Sequence, residues 1–298
     1  MFTENEIEDS QLRMVFASCH PAIPYESQIA LTLKHLCGLS IGEIAKSFLT
    51  NDETIIKRLY RAREKIRTEE IRLEVPSGSE LIERLDAVLH TLYLLFNEGY
   101  NSSHPDQLIR CELSEEAMRL AFLLTGNAVT NLPKTNALLS LMCLQASRME
   151  ARLNDEGHII LLKDQDRQRW NKQLIEKGLI YLHYASEGEE VSEYHIEAAI
   201  ASCHALAPTF ADTDWNEIRI LYEALSRIKP GPIVELNKAI SIGYSRSPVK
   251  GIQALLEIEG LGNSHLYHAA LGDFYAAVDD YGKATTEYEK ALELAGSG

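Results

Sequence analysis

The chain has 298 residues, of which 45% are hydrophobic and 24% charged, and its formal net charge at pH 7 is −15. This composition indicates a globular protein that can bury a core and is long enough for two or more domains. The longest apolar runs span only a few residues, and residues 1–6 are acidic where a secretory signal would be basic, so we expect no membrane segment and a cytoplasmic location.

The five cysteines are scattered along the chain without a Cys-x-x-Cys pair, which indicates reduced thiols rather than a disulfide framework or a zinc knuckle. Cys19, His20 and Cys37 could form part of a metal site, but a fourth ligand at suitable spacing is missing. The ten histidines show no His-x-x-x-His spacing with a carboxylate partner. We therefore predict no metal site.

The first 67 residues carry the signals of about four short helices. An apolar strip begins at Leu12, prolines interrupt it, and a helical pattern resumes over 24–37 with Gly38 as its stop. Ser40 followed three residues later by Glu43 is a capping-box signature, so the next helix starts at about Ile41. Residues 49–53 break the apolar stripe with side chains that can cap a helix, so another helix begins near residue 52 or 53. This pattern is a helix-turn-helix.

The second helix of this pair has two faces. At about 100° per residue, Ile55, Leu59, Ala62 and Ile66 share a face that packs. Residues 57–67 contain six Lys or Arg and one Glu, in a chain whose residues after 75 hold nineteen basic and thirty-two acidic side chains. The second helix is therefore the expected contact with an anionic partner. The other face carries Thr54, Lys57, Arg58, Arg61 and Lys65.

After a Pro-Ser-Gly-Ser cluster at 76–79 the chain is again helical. Three leucine- and alanine-rich helices are predicted at 81–96, 112–125 and 134–153, and they form one bundle. For residues 157–170 a short strand or extended segment competes with helix, and the run is too short to decide. Seven short helices follow, at 170–185, 192–206, 214–228, 232–243, 248–258, 264–278 and 281–295.

The last two predicted helices carry a tetratricopeptide-type pattern of small and aromatic residues. Residues 232–258, with Ala239, Gly251 and Ala254, could form a second unit upstream. Because one such unit cannot bury its own face, we expect the upstream hairpins to stack on it as a short solenoid. The residues of the pattern are Leu271, Gly272, Tyr275, Ala284, Tyr288 and Ala291.

The sequence thus predicts an all-α fold in three parts. Residues 1–75 form the helix-turn-helix domain, 79–165 a helical bundle, and 166–298 a tetratricopeptide-like extension of helical hairpins.

Three stretches of the N-terminal domain give the chain a resemblance to a known family. Gln28-Ile-Ala-Leu, Leu39-Ser-Ile-Gly-Glu-Ile-Ala and Thr54-Ile-Ile-Lys-Arg-Leu-Tyr-Arg-Ala-Arg-Glu-Lys-Ile resemble region 4 of bacterial extracytoplasmic-function sigma factors of the sigma-70 family. Leu92–Tyr100, Asp164–Trp170 and Leu236–Ala239 resemble the subgroup with a long tetratricopeptide-type C-terminal extension.

The resemblance implies a transcription factor rather than an enzyme. It would bind the promoter −35 element through its second helix, as part of RNA polymerase holoenzyme. That family begins with region 2, which binds the polymerase core and melts the −10 element. No region 2 precedes Met1 here, so we expect a fragment or a reduced homologue that does not initiate transcription alone. The implied DNA-binding residues are Asn51, Asp52 and Glu53 near backbone phosphates, and Thr54, Lys57, Arg58, Arg61 and Lys65 facing the DNA.

Two further motifs favour structural roles. For Asn97-Glu-Gly-Tyr100 we favour a helix C-terminus closed by glycine over a catalytic Glu98. Asp164, Asp166, Arg167 and Arg169 could bind a metal or a nucleotide, but capping of a helix near Gln168 or ion pairs in the extension are favoured. The sequence shows neither a glycine-rich phosphate loop nor a nucleophile elbow. We predict no catalytic residue and no cofactor.

Two functions remain open from the sequence. The first is the transcription initiation factor, whose extension regulates it, docks an unknown protein or lies against the basic helix of the same chain. The alternative is a helical-repeat interaction scaffold whose helix-turn-helix does not bind DNA.

Overall fold

A computed structural model describes residues 7–104 and 107–295 of the chain. Over those residues the protein is 69% helical, with fourteen α-helices and no strands, which confirms the predicted all-α class. None of these helices is long and apolar enough to cross a membrane. The acidic residues 1–6 and the last three residues of the predicted extension lie outside the described part of the chain.

The contacts divide the chain into two compact units. The first unit runs up to Ile160 and resumes from Gln168 to Glu190, and the second comprises Leu161–Arg167 and the chain from Val191 onward. The predicted boundaries near 75–79 and 165 stay predictions.

The first unit opens with four helices whose ends follow the sequence signals. Asp9 caps α1 through a 2.9 Å hydrogen bond from the Leu12 amide to its carboxylate. The predicted capping box is present, because the Ser40 amide donates to Glu43 at 2.6 Å and the Glu43 amide donates to the Ser40 hydroxyl at 3.2 Å. The helices are α1 Ser10–Ser18, α2 Tyr25–His35, α3 Ile41–Ser47 and α4 Asp52–Thr68.

Helix α5 is the central element of the first unit, because it packs against α1, α2, α3, α6 and α7. Its side chains Leu81, Leu85, Val88, Leu89 and Leu92 are fully buried. The helices of this part are α5 Ser79–Tyr100, α6 Cys111–Thr125, α7 Pro133–Ala146 and α8 Lys172–Ala185.

Three local predictions in the first unit are wrong. Helix α7 ends at Ala146 rather than 153, and a short 3₁₀ turn follows over Met149–Ala151. Gly99 does not close α5 but lies inside it, where a Cβ atom would come within 2.5 Å of the Ser114 amide nitrogen. Helix α8 is capped by Asn171, so the capping role for an aspartate near Gln168 is wrong at this helix, while the alternative of ion pairs in the extension stays a prediction. Close packing, rather than a helix stop, is the reason for glycine at position 99.

The undecided segment at 157–170 is neither strand nor α-helix. An isolated antiparallel bridge joins Leu153 to Ile159, and 3₁₀ turns follow over Leu162–Asp164 and Arg167–Arg169. In the second unit, Arg167 donates to the backbone carbonyls of His204 and Ala207.

The second unit is a series of helices in which each packs against the next. Leu236, Leu255, Leu271 and Phe274 are among its buried residues. The helices are α9 Glu193–Leu206, α10 Trp215–Ile228, α11 Pro232–Ser245, α12 Pro248–Leu256, α13 His265–Ala277 and α14 Tyr281–Ala295.

Candidate nucleic-acid interface

Helix α4 packs on the rest of the helix-turn-helix through the face that the sequence predicts. Ile55 and Ala62 are 0% exposed and Leu59 is 4% exposed, and α4 contacts α2 and α3. The opposite side of α4 is therefore available to a ligand.

The start of α4 is fixed by Asn51. Its side-chain oxygen accepts a 2.9 Å hydrogen bond from the Thr54 amide and another of 2.9 Å from the Thr54 hydroxyl. Asp52 and Glu53 are exposed in the first turn, where negative charge is favourable at the positive end of the helix dipole. Asn51 and Thr54 thus form the cap of α4 in the free protein, and Asp52 and Glu53 stabilise its first turn through the helix dipole.

Arg58 does not extend into solvent. Its guanidinium forms an ion pair with Glu26 of α2 and lies over the Phe48 ring, 5.0 Å from the ring centre, and its side chain is only 19% exposed. The Nη1 atom is buried and makes no hydrogen bond among the described residues. Arg58 therefore fastens α4 to the preceding helices instead of pointing outward with its predicted neighbours.

Of the basic residues on the predicted DNA-binding face, Lys57, Arg61 and Lys65 reach the surface of α4, and we call these three the cationic edge; Arg63 and Arg67 are also exposed on this helix. Lys57 pairs with Glu53 at 2.7 Å and Lys65 with Glu69 at 3.7 Å, both one helical turn away. Arg61 is exposed and has no ion pair among the described residues. Exposed pairs of this kind contribute little, so both lysines can exchange a carboxylate for a phosphate at low cost.

Apolar side chains that the sequence analysis passed over lie beside the cationic edge. Ile56 is 51% exposed and Tyr60 is 64% exposed on α4, and Leu49 in the turn before it is 81% exposed. Ile56 and Tyr60 fall outside the packing face on a helical wheel, so their exposure on α4 could have been predicted from the sequence. Apolar side chains on a reading helix can contact the methyl group of thymine in the major groove.

Polar contacts within the first unit hold the helix-turn-helix against α5 and the segment before α6. Arg84 of α5 is buried and donates to the carbonyl of Phe16 at 3.1 Å, while the Tyr25 hydroxyl donates to the Asp86 carbonyl at 3.3 Å. Arg110 pairs with Glu43 of α3 at 2.7 Å. The helices α2 and α3, on which α4 packs, are thus joined to α5 and to the segment before α6.

Cys19 and Cys37, the two cysteines of the candidate metal site that includes His20, are free thiols packed in the first unit. Burial raises the pKa of Cys19 to about 12, although a weak hydrogen bond with Thr32 at 3.9 Å acts in the opposite direction. Among the described residues no group of three or more His, Cys, Asp or Glu side chains could hold a metal ion.

Comparisons with known proteins match two parts of the chain to families. Residues 13–66, which include the predicted helix-turn-helix, match sigma-70 region 4, and residues 84–186 match a family of unknown function, DUF6596. An uncharacterized protein of Rhizobium meliloti (strain 1021) is 35% identical over 288 residues, which cover 96% of this chain and 68% of that protein.

Proposed function

This chain belongs to the family of that Rhizobium meliloti protein and has a sigma-70 region 4 domain at its N-terminus; from this premise we propose that it is a transcription initiation factor. In this proposal α4 binds the promoter −35 element while the protein is part of bacterial RNA polymerase holoenzyme, in the cytoplasm.

One observation carries the proposal. The sigma-70 region 4 match ends at residue 66, and the helix that closes it, α4, packs by one face and presents the cationic edge on another. In a helix-turn-helix the second helix lies in the major groove and its N-terminal half contacts base edges. Arginine suits bidentate contact with guanine, and lysine supplies charge to phosphates.

The geometry suggests different roles for the predicted DNA-binding residues. We assign direct contact to Lys57, Arg61 and Lys65, and support of the recognition helix to Arg58 and Thr54. Asn51, Asp52 and Glu53 remain proposed neighbours of the DNA backbone at the N-terminus of α4, where the positive end of the helix dipole favours phosphate.

The test is a titration of the full chain with a labelled duplex enriched from a random pool by the wild-type protein. We expect binding that weakens steeply between about 50 and 200 mM salt, and a loss of affinity when Lys57→Ala and Arg61→Ala are combined. Arg72→Ala is the matched control, because Arg72 lies outside α4 and its side chain is 86% exposed. Failure of the intact chain to bind any duplex at low salt would overturn the proposal.

For the helices of the second unit we propose a tetratricopeptide-type extension that regulates the factor or docks a protein. The support is close packing at the small residues of the predicted pattern. A Cβ atom on Gly272 would lie 2.7 Å from the Tyr288 ring, and Ala284 is 3% exposed. Such hairpins also favour the alternative of an interaction scaffold, which the DNA titration distinguishes because a scaffold of this kind would not bind the duplex.

A further inference from the structure

The C-terminus of α5 lies beside two arginines that follow α7. The guanidinium carbon of Arg152 is 3.8 Å from the centre of the Tyr100 ring, and that of Arg148 is 5.5 Å from the same point. Phe96 stacks on Tyr100 with the ring centres 5.8 Å apart. Two guanidinium groups thus share one aromatic side chain.

Neither arginine has a carboxylate partner among the described residues. Arg148 donates to the Gln145 side-chain oxygen through Nε and Nη2, at 3.3 and 2.8 Å. Arg152 donates to the Tyr100 carbonyl through Nη1 and to the Asn101 side chain through Nη2 at 3.5 Å. All these acceptors are neutral groups, so no formal negative charge among the described residues balances the two guanidinium groups.

Burial makes this arrangement costly. Arg152 is only 8% exposed, and buried arginines are rare in proteins unless they are paired. Desolvation lowers the pKa of the Arg152 guanidinium, and the neighbouring charge of Arg148 lowers it further although the Tyr100 phenol acts in the opposite direction. The Tyr100 hydroxyl oxygen is itself buried and has no hydrogen-bond partner among the described residues.

Arg84 in the same unit shows how a buried arginine is accommodated without a ligand. Its Nη1 atom donates to two backbone carbonyls, those of Phe16 and Glu74, and its buried Nε atom makes no hydrogen bond among the described residues. Arg152 resembles it in using the carbonyl at the end of α5, but Arg148 adds a second guanidinium that this carbonyl does not neutralise. Hydrogen bonds to backbone carbonyls, as at Arg84, therefore do not explain why two arginines lie together at Tyr100.

We propose that Tyr100, Arg148 and Arg152 form a binding site for the oxyanion of a small molecule, either a carboxylate or a phosphate. The planar fork of guanidinium matches both groups, and a charge-assisted hydrogen bond would replace the missing counter-charge. Arg148 is half-buried and provides the approach from solvent. The site lies outside the helix-turn-helix and does not depend on DNA binding.

The test is thermal unfolding of the full chain in inorganic phosphate, adenosine monophosphate or succinate, with sodium chloride at matched ionic strength as reference. We expect at least one oxyanion at about ten times its dissociation constant to raise the unfolding midpoint by about 3 °C. The three ligands distinguish free phosphate, a phosphate ester and a carboxylate as the source of the oxyanion.

The shift of the unfolding midpoint should be lost in Arg148→Gln and unchanged in the control Arg72→Gln. In Arg148→Lys, at least half of the shift should remain. Arg148 is chosen over Arg152 because its half-exposed side chain can be replaced with less risk to folding. The proposal is overturned if no oxyanion raises the midpoint above the chloride reference, or if Arg148→Gln responds as the wild type does. Calorimetric titration of the same ligands into wild type and Arg148→Gln measures their binding directly and so checks the presence or absence of the thermal shift.

Discussion

Arg110 forms a 2.7 Å ion pair with Glu43, the residue that completes the capping box at the start of α3. The two side chains are 19% and 10% exposed. Glu43 therefore joins two structures: it closes the first turn of α3, and it fastens α3 to the segment that leads into α6. The helix-turn-helix and the helices of the unknown-function family are connected at this point.

Removal of this ion pair should destabilise the first unit. We expect Arg110→Ala to lower the free energy of unfolding by about 1–3 kcal/mol, because the mostly buried Glu43 carboxylate loses a charged partner. Chemical denaturation of the full chain measures the effect. The exposed Arg72→Ala control should stay within about 0.5 kcal/mol of wild type. Equal stability of all three proteins would show that the pair contributes nothing.

The same carboxylate should make stability depend on pH. Burial acts to raise the pKa of Glu43, but hydrogen bonds from Ser40 and the charge of Arg110 outweigh it and hold the pKa below its usual value of 4.5. The ionised group therefore stabilises the fold above pH 4.5, and this contribution is lost as the pH falls through the lowered pKa. The stability difference between wild type and Glu43→Gln should shrink in that range. A difference that stays constant from pH 7 to 3 would contradict the assignment.

Substitutions of Arg58 and Arg61 should have different effects, the first on stability and the second on DNA affinity. We expect Arg58→Ala to reduce stability by about 1–2 kcal/mol, since it removes the contact with Phe48 and the pair with Glu26. Arg61→Ala should leave stability within about 0.5 kcal/mol of wild type but weaken binding to the enriched duplex and reduce the salt slope by about one. Denaturation and duplex titration on both variants give the comparison. The reverse pattern would place Arg58, not Arg61, at the DNA.

The sequence predicted the helices well, because apolar period and capping residues are local signals. The start of α4 and its packing face followed directly from Asn51 and the spacing of Ile55, Leu59 and Ala62. The position of Arg58 could not be predicted in this way. It lies at the border of the packing face, and its partner Glu26 belongs to another helix, so tertiary contact decides its orientation.

Tertiary contacts also explain the two helix ends that were misplaced. Glycine at 99 has the sequence appearance of a helix stop, yet the approach of Ser114 requires a residue without a side chain inside α5. Residues 147–153 are good helix formers, but there the chain turns so that Arg148 and Arg152 reach Tyr100. In both places packing overrides local propensity.

Leu49 offers a stabilising substitution in the turn of the helix-turn-helix. Its φ angle is +50°, a left-handed conformation that costs a residue with a side chain about 1–2 kcal/mol, and it is 81% exposed. Leu49→Gly should raise the free energy of unfolding by about 0.5–1 kcal/mol, since the relief of strain exceeds the added entropy of the unfolded chain. Leu49→Ala, which keeps the strain, is the matched control. A glycine variant no more stable than the alanine variant would show that the turn is unstrained.

Phe274 in α13 fills a space that two glycines leave open. A Cβ atom on Gly243 would lie 2.5 Å from one edge carbon of its ring, and one on Gly251 would lie 2.7 Å from the Gly243 Cα atom. Phe274 is 4% exposed, so the ring has little room to move. We expect Gly243→Ala to destabilise the second unit by about 2–3 kcal/mol through overpacking.

The matched control for this substitution is Gly262→Ala, where an added Cβ atom would meet nothing within 4 Å and the φ angle lies outside the left-handed region. That variant should unfold within about 0.5 kcal/mol of wild type. Denaturation followed by near-ultraviolet circular dichroism reports on the second unit, since Trp215 stacks on Tyr244 with ring centres 4.4 Å apart beside Phe274. If both alanine variants unfold together with wild type, the packing of α11, α12 and α13 is looser than these distances require.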